Sequence, residues 1–202
     1  MNENQSVRPA IHVAGRAVGV EPTERKWYVA VVGPNAEKAA RDRLLELGYD
    51  AYVATQEELH QWKNGRRKRV ERVVVTQLVF LHATDAERRQ AVTLPFVKKF
   101  LTDKARMAND LGVHPLATVS DSEMQSLRFM LYQADQPVEF RDRPVRRGTV
   151  VKVLRGSLAG LSGIVTQDRD RESYVTVNIG ILGAARVRIS MADVELLNEK
   201  TL

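Results

Sequence analysis

The stretch Arg147-Gly148-Thr149-Val150-Val151-Lys152-Val153-Leu154-Arg155-Gly156-Ser157-Leu158-Ala159-Gly160-Leu161-Ser162-Gly163-Ile164-Val165 decides the fold of the C-terminal part of the chain. Val151 and Val153 alternate with Lys152, and Ile164-Val165 opens a second apolar run, so two half-buried strands flank a loop. Glycine at 156, 160 and 163 supplies positive φ and lets the chain turn sharply without a Cβ clash. The loop is not a nucleotide cradle, because neither GxxxxGK[ST] nor GxGxxG is present and no helical pattern follows. Nor is Gly160-Leu161-Ser162-Gly163 a nucleophile elbow, since Ile164 stands where GxSxG needs its closing glycine. Its task is to turn and to present side chains, not to perform chemistry.

Strand patterns continue downstream. Tyr174 to Ile179 alternates with Val175, Val177 and Ile179 inward, and Ala185 to Ile189 alternates with Arg186 and Arg188 outward. A small all-β unit is expected over 147–198. Upstream, 133–146 carries Asp135, Pro137, Asp142, Pro144 and several arginines and reads as a linker.

A first domain is expected over 26–132, after a flexible tail at 1–25. Trp27-Tyr28-Val29-Ala30-Val31-Val32 is a strand ended by Gly33-Pro34. Asn35 is positioned to cap a helix reaching Leu47, with Gly48 as its stop. Tyr49 to Ala54 reads as a strand, and Asn64-Gly65 turns a hairpin dense in Lys and Arg. Val73 to Leu81 and Phe96 to Leu101 read as further strands. Thr84-x-x-Glu87 and Ser120-x-x-Glu123 are capping boxes that open helices. The second helix places Met124, Leu127, Met130 and Leu131 on one face.

Composition narrows the function. The chain has 202 residues, enough for two small domains. It contains no cysteine, which removes disulfides, a zinc ribbon and a thiol nucleophile. His12, His60, His82 and His114 are scattered without metal-ligand spacing, and the adjacent Glu57-Glu58 would not face one site on a strand. No catalytic residue, metal or cofactor is expected. No apolar run approaches the roughly 18 residues of a membrane span and no signal-peptide core follows the polar start, so a cytoplasmic address is expected. A net charge of +6 favours acidic partners, nucleic acid first, and the charge is clustered. Lys63, Arg66, Arg67, Lys68 and Arg69 form that cluster on the hairpin, beside Trp62. A solvated charge run is the plain reading. Held on a two-stranded ribbon, however, these charges repel one another, and an anionic backbone would offset that cost.

Gly148, Val151, Val153, Gly156, Gly160, Gly163 and Val165 resemble a KOW motif, the core of a small SH3-like barrel, with Ser157 and Leu158 in place of its usual Pro-Phe. The order strand, helix, strand, basic hairpin, strand, helix, strand, opening on Trp27-Tyr28-Val29 and centred on Leu78-Val79-Phe80-Leu81, resembles the NGN domain of the NusG/RfaH family. The resemblance runs from about Trp27 to Leu197. It implies an α+β fold, an NGN domain followed by an SH3-like barrel, and a transcription elongation or antitermination factor that binds the clamp helices of RNA polymerase. One departure is specific. The family carries Phe-Pro-Gly-Tyr where this chain has Val75-Thr76-Gln77-Leu78, which looks more like the UpxY-type paralogues that regulate surface-polysaccharide operons.

The resemblance also assigns residues. Val31, Val75, Leu78 and Phe100 match the polymerase-binding surface, although a strand apolar on both faces gives the same pattern through core packing alone. Arg43 matches a contact to non-template DNA; otherwise it is a surface arginine. Gly156, Ser157 and Leu158 match a loop that binds the termination factor Rho or a ribosomal protein. Leu158 is either offered to such a partner or tucked against the barrel. The chain is expected to act as a monomer. The competing expectation is a ribosome-associated or RNA-binding KOW protein.

Overall fold

A computed structural model describes residues 24–61, 65, 67–180 and 182–197, with 59–61 by backbone alone. The expected tail up to residue 23, and Trp62, Lys63, Asn64 and Arg66 of the hairpin, lie outside the described residues.

Along the chain, β1 is Lys26–Val31, α1 Glu37–Glu46, β2 Asp50–Tyr52, β3 Thr55–Gln61, β4 Arg67–Val73, β5 Leu78–Ala83, α2 Asp85–Ala91, β6 Lys99–Phe100, β7 Thr118–Val119 and α3 Asp121–Gln133. The C-terminal part contributes β8 Glu139–Arg141, β9 Thr149–Val153, β10 Ser162–Gln167, β11 Ser173–Ile179, β12 Gly183–Arg188 and β13 Val194–Leu196. The protein is α+β.

The first sheet runs β2-β5-β1-β6, with β7 also on β1. Both capping boxes form as their local sequence demands. Thr84 and Ser120 each accept from the N–H three residues on, and Glu87 and Glu123 reach back. The period-2 alternation of β1 and β5 sends two sets of side chains to opposite faces. Tyr28, Ala30, Val79 and Leu81 join Ala40 and Leu44 of α1 and Ala91 of α2 in one core. Trp27, Val29 and Phe80 meet Met124, Leu127, Met130 and Leu131 of α3 in the other.

That second core does not stop at α3. It continues into Val151, Val153, Leu158, Leu161, Val175, Val177 and Ile179 of the C-terminal sheet. The sheet has the order β13-β9-β10-β11-β12-β8 and is antiparallel where its strands pair. α3 packs against both β3 and β11, so one helix serves both units. Of the motif glycines, Gly156 (φ +82°) and Gly160 (φ +95°) make the turn. Gly163 has another role, because a Cβ there would lie 2.8 Å from the Thr176 carbonyl oxygen across the strand pair.

Four expectations need correction. α1 is not capped by Asn35, which takes a left-handed φ of +56°; Ala36 precedes the helix without a side-chain cap. Val73 to Leu81 is not one strand, because the chain turns between β4 and β5. The expected strand over Phe96 to Leu101 shrinks to β6. The stretch 133–146 is not all linker: Gln133 ends α3, and β8 pairs with β12 through Ala185 and Phe140.

Candidate functional site

Val31 and Leu78 face each other directly across β1 and β5. Both are half-buried, on the sheet face shared with Val29 and Phe80. Phe100 is not with them. It pairs with Ala30, so its side chain joins the α1/α2 core, where it is 7% exposed and meets Tyr28 edge-on at 6.2 Å between ring centroids. Val75 is 3% exposed within the α3 core. Of the four expected surface residues the fold brings two together; the other two are sealed by packing.

The turn leading into Leu78 falls where this chain departs from Phe-Pro-Gly-Tyr. Gln77 has φ +61°, a conformation that glycine adopts freely and other residues rarely do. Its N–H donates to Oε1 of Glu37 at 2.6 Å, and its carbonyl accepts from the Val32 N–H at 2.9 Å. Glu37 is buried at the start of α1. Gln77 thus holds a left-handed backbone through its own main-chain hydrogen bonds.

β3 and β4 form a two-stranded ribbon paired from Thr55↔Val73 to Gln61↔Arg67. Arg67, Lys68 and Arg69 are exposed along it. The ribbon neutralises part of its own charge: Arg69 lies 3.5 Å from Glu57, and Arg72 lies 2.5 Å from Glu58. Glu57 and Glu58, adjacent in sequence, thus serve separate arginines. Among the described residues Arg67 and Lys68 have no carboxylate partner. Arg43 is exposed on α1, with its guanidinium 5.6 Å from the centroid of Phe96. One face of the cation is against a ring, and its edge is left for a partner.

The ribbon's root is built from groups that sequence reading passed over. Gln56 is 4% exposed; its Oε1 accepts from the Val138 N–H at 2.7 Å and its Nε2 donates to the Gln136 carbonyl at 2.9 Å. Glu71 accepts from the Thr55 hydroxyl at 2.6 Å and pairs with Lys38 at 3.1 Å. These contacts, the Thr55 hydrogen bond first, hold its carboxyl below the usual carboxylate range. Arg128 of α3 lies 5.1 Å from the Trp27 ring and 4.4 Å from that of Tyr52. Burial pushes the Tyr52 phenol up to about 12, with Arg128 opposing. Partners this distant along the chain leave no periodic signal.

At the C-terminal loop the two possibilities for Leu158 are resolved by packing. It is 6% exposed and belongs to the shared core, so it is tucked in rather than offered. Ser157 is half-buried and lines an open cleft with Arg128 and Tyr132 of α3 and Arg69 of the ribbon. The junction is fastened by Glu123. Its Oε2 closes the α3 capping box, accepting from the Ser120 N–H at 2.9 Å, while its Oε1 accepts from the Gly180 N–H at 2.9 Å. Among the described residues no group of acidic, histidine or cysteine side chains could hold a metal, and no helix is long and apolar enough to cross a membrane.

Fold and surfaces together define an α+β protein of two sheets joined through one helix, displaying a basic ribbon and a half-buried apolar sheet end. The family model for NusG, described as transcription termination factor nusG, matches residues 25–128. The chain belongs to the NusG family of transcription factors. A search of the curated proteins returned no match. Among solved structures the chain is similar to NusG of Thermotoga maritima, in a study of its domain interaction, at 16% identity and a TM-score of 0.43 over 87% of this chain and 98% of that one. It is also similar to a chain of the MjSpt4:Spt5 complex in conformation B, at 13% identity and a TM-score of 0.29 over 86% of this chain and 97% of that one.

Proposed function

We propose that this protein is a transcription elongation and antitermination factor that binds RNA polymerase through its N-terminal domain and reduces pausing or premature termination. It acts in the cytoplasm at particular operons, surface-polysaccharide loci among them. The observation that carries the reading is the Val31–Leu78 pair, an apolar contact at the end of a sheet within the region matched to NusG. Two facing aliphatic side chains that are not fully covered give a clamp helix something to bury. The exposed Arg67, Lys68 and Arg69 lie ready for upstream or non-template DNA, with Arg43 as a further contact.

The mechanism is binding, not bond chemistry. A protein that contacts the closed clamp better than the open one shifts the polymerase toward the closed state by that difference in affinity. The loop at Gly156 and Ser157 serves the second partner, Rho or a ribosomal protein, with Leu158 supporting it from beneath. Capture of the intact tagged chain from its native extract tests the reading. Polymerase subunits are the expected catch; ribosomal particles in their place would favour the RNA-binding KOW alternative.

A further inference from the structure

Arg143, Arg146 and Arg147 lie in the segment between β8 and β9 and are all exposed. On the strands of the C-terminal sheet the arginines are paired, whereas its loop arginines Arg155, Arg169 and Arg171 have no carboxylate partner among the described residues and are scattered over two separate turns. Arg141 lies 3.2 Å and Arg186 2.7 Å from Glu139, and Arg188 pairs with Glu172. Among the described residues no carboxylate pairs with Arg143, Arg146 or Arg147, and no hydrogen bond engages their side chains. Asp142 is the one acid in the stretch 141–147.

These cations are not on a slack tether. The Val145 N–H donates to Oδ1 of Asn178 at 2.8 Å, and Nδ2 of Asn178 donates back to the Val145 carbonyl at 2.9 Å. The side-chain amide thus imitates one rung of a sheet and pins the segment to the end of β11. Gly180, two residues on, is the point where Glu123 of α3 holds the sheet. Pro144 further restricts the backbone between the first arginine and the other two. Three arginines without a carboxylate partner among the described residues therefore fall within 143–147 on a segment pinned beside the junction, and a polyanion would offset their mutual repulsion. No exposed large apolar side chain lies within 141–147, so the stretch lacks the apolar centre of a protein or membrane interface.

We propose that Arg143, Arg146 and Arg147 bind the phosphodiester backbone of a nucleic acid, as a second contact separate from the β3–β4 ribbon. Guanidinium forks suit phosphate oxygens, and three of them act through charge and geometry without reading sequence. The contact goes beyond the proposed polymerase binding and stands or falls independently of it.

The test uses the intact chain with a labelled single-stranded RNA and a single-stranded DNA of the same sequence, followed by fluorescence anisotropy from about 50 to 200 mM salt. In the variant R143Q/R146Q/R147Q the slope of log affinity against log salt should fall by about two on at least one strand, as three lost contacts at roughly 0.7 each require. The variant R143K/R146K/R147K, which keeps the charges, should retain the wild-type slope. Loss on RNA alone would identify a transcript as the ligand, loss on DNA alone a displaced strand, and equal loss the backbone common to both; each supports the site. An unchanged slope in the glutamine variant, a lysine variant as impaired as the glutamine one, or a wild-type chain that binds neither strand would overturn it. A parallel R67Q/K68Q variant reports on the ribbon separately, so failure there is distinguishable.

Discussion

Gln77 sits in a left-handed conformation that costs a side chain about 1–2 kcal/mol relative to glycine. Gln77→Gly should relieve that, less the roughly 0.5–1 kcal/mol of extra chain entropy that glycine loses on folding, leaving a net gain of up to about 1.5 kcal/mol. Urea unfolding of the two proteins measures it. A destabilised glycine variant would show that the side chain, not the Glu37 hydrogen bond, holds the turn. Leu158 makes the opposite kind of forecast. Since it is 6% exposed in the shared core, Leu158→Asp should lower stability by several kcal/mol, as expected for an unpaired buried charge, and be read in the midpoint of unfolding. Neither behaviour was legible beforehand. Val75-Thr76-Gln77-Leu78 contains no glycine to announce a positive φ, and the spacing of Gly156 and Gly160 fixes where the loop turns but not which way Leu158 points.

Elements whose signals are local were legible. Each capping box involves residues three apart, so α2 and α3 start where Thr84 and Ser120 place them. The run from Val73 to Leu81 misled because Val73-Val74-Val75 prolongs a strand pattern across a turn set by a tertiary hydrogen bond from Gln77 to Glu37. The ribbon's alternation and charge were visible, while its root was not, since Gln56 and Glu71 work through residues far along the chain. Gln56→Ala leaves the Val138 N–H without its acceptor and should cost about 1–3 kcal/mol, measured by denaturant unfolding. Glu71 makes stability depend on pH. Its folded pKa lies below the ordinary glutamate value of 4.5, so its contribution is present above that value and is lost as pH falls through the folded pKa. The melting-temperature gap between wild type and Glu71→Gln should thus be open at neutral pH and narrow progressively below pH 4.5. A gap independent of pH would remove the carboxylate from the ribbon's support.

In the molecule as a whole, α3 binds two sheets into one continuous core, which pattern reading divided at residue 133. The division followed Pro137 and Pro144, yet β8 lies between them and completes the edge of the C-terminal sheet on β12. A fragment from residue 137 to 197 should therefore be more stable to heat than one from 145 to 197, and equal stability would mean that β8 contributes nothing. The α+β plan itself, with a β-rich C-terminal part, was legible because strand and glycine spacing are short-range. The shared helix core was not, because an apolar stripe does not name what covers it. Polymerase binding through the Val31–Leu78 end of the first sheet is the claim on which the functional reading rests. The decisive measurement is the affinity of the intact chain for purified core RNA polymerase, wild type against Leu78→Glu, with near-ultraviolet circular dichroism confirming that the variant is folded. Wild type should bind and the folded variant should lose at least tenfold, the equivalent of about 1.4 kcal/mol. A folded Leu78→Glu protein that binds polymerase as tightly as wild type would contradict it.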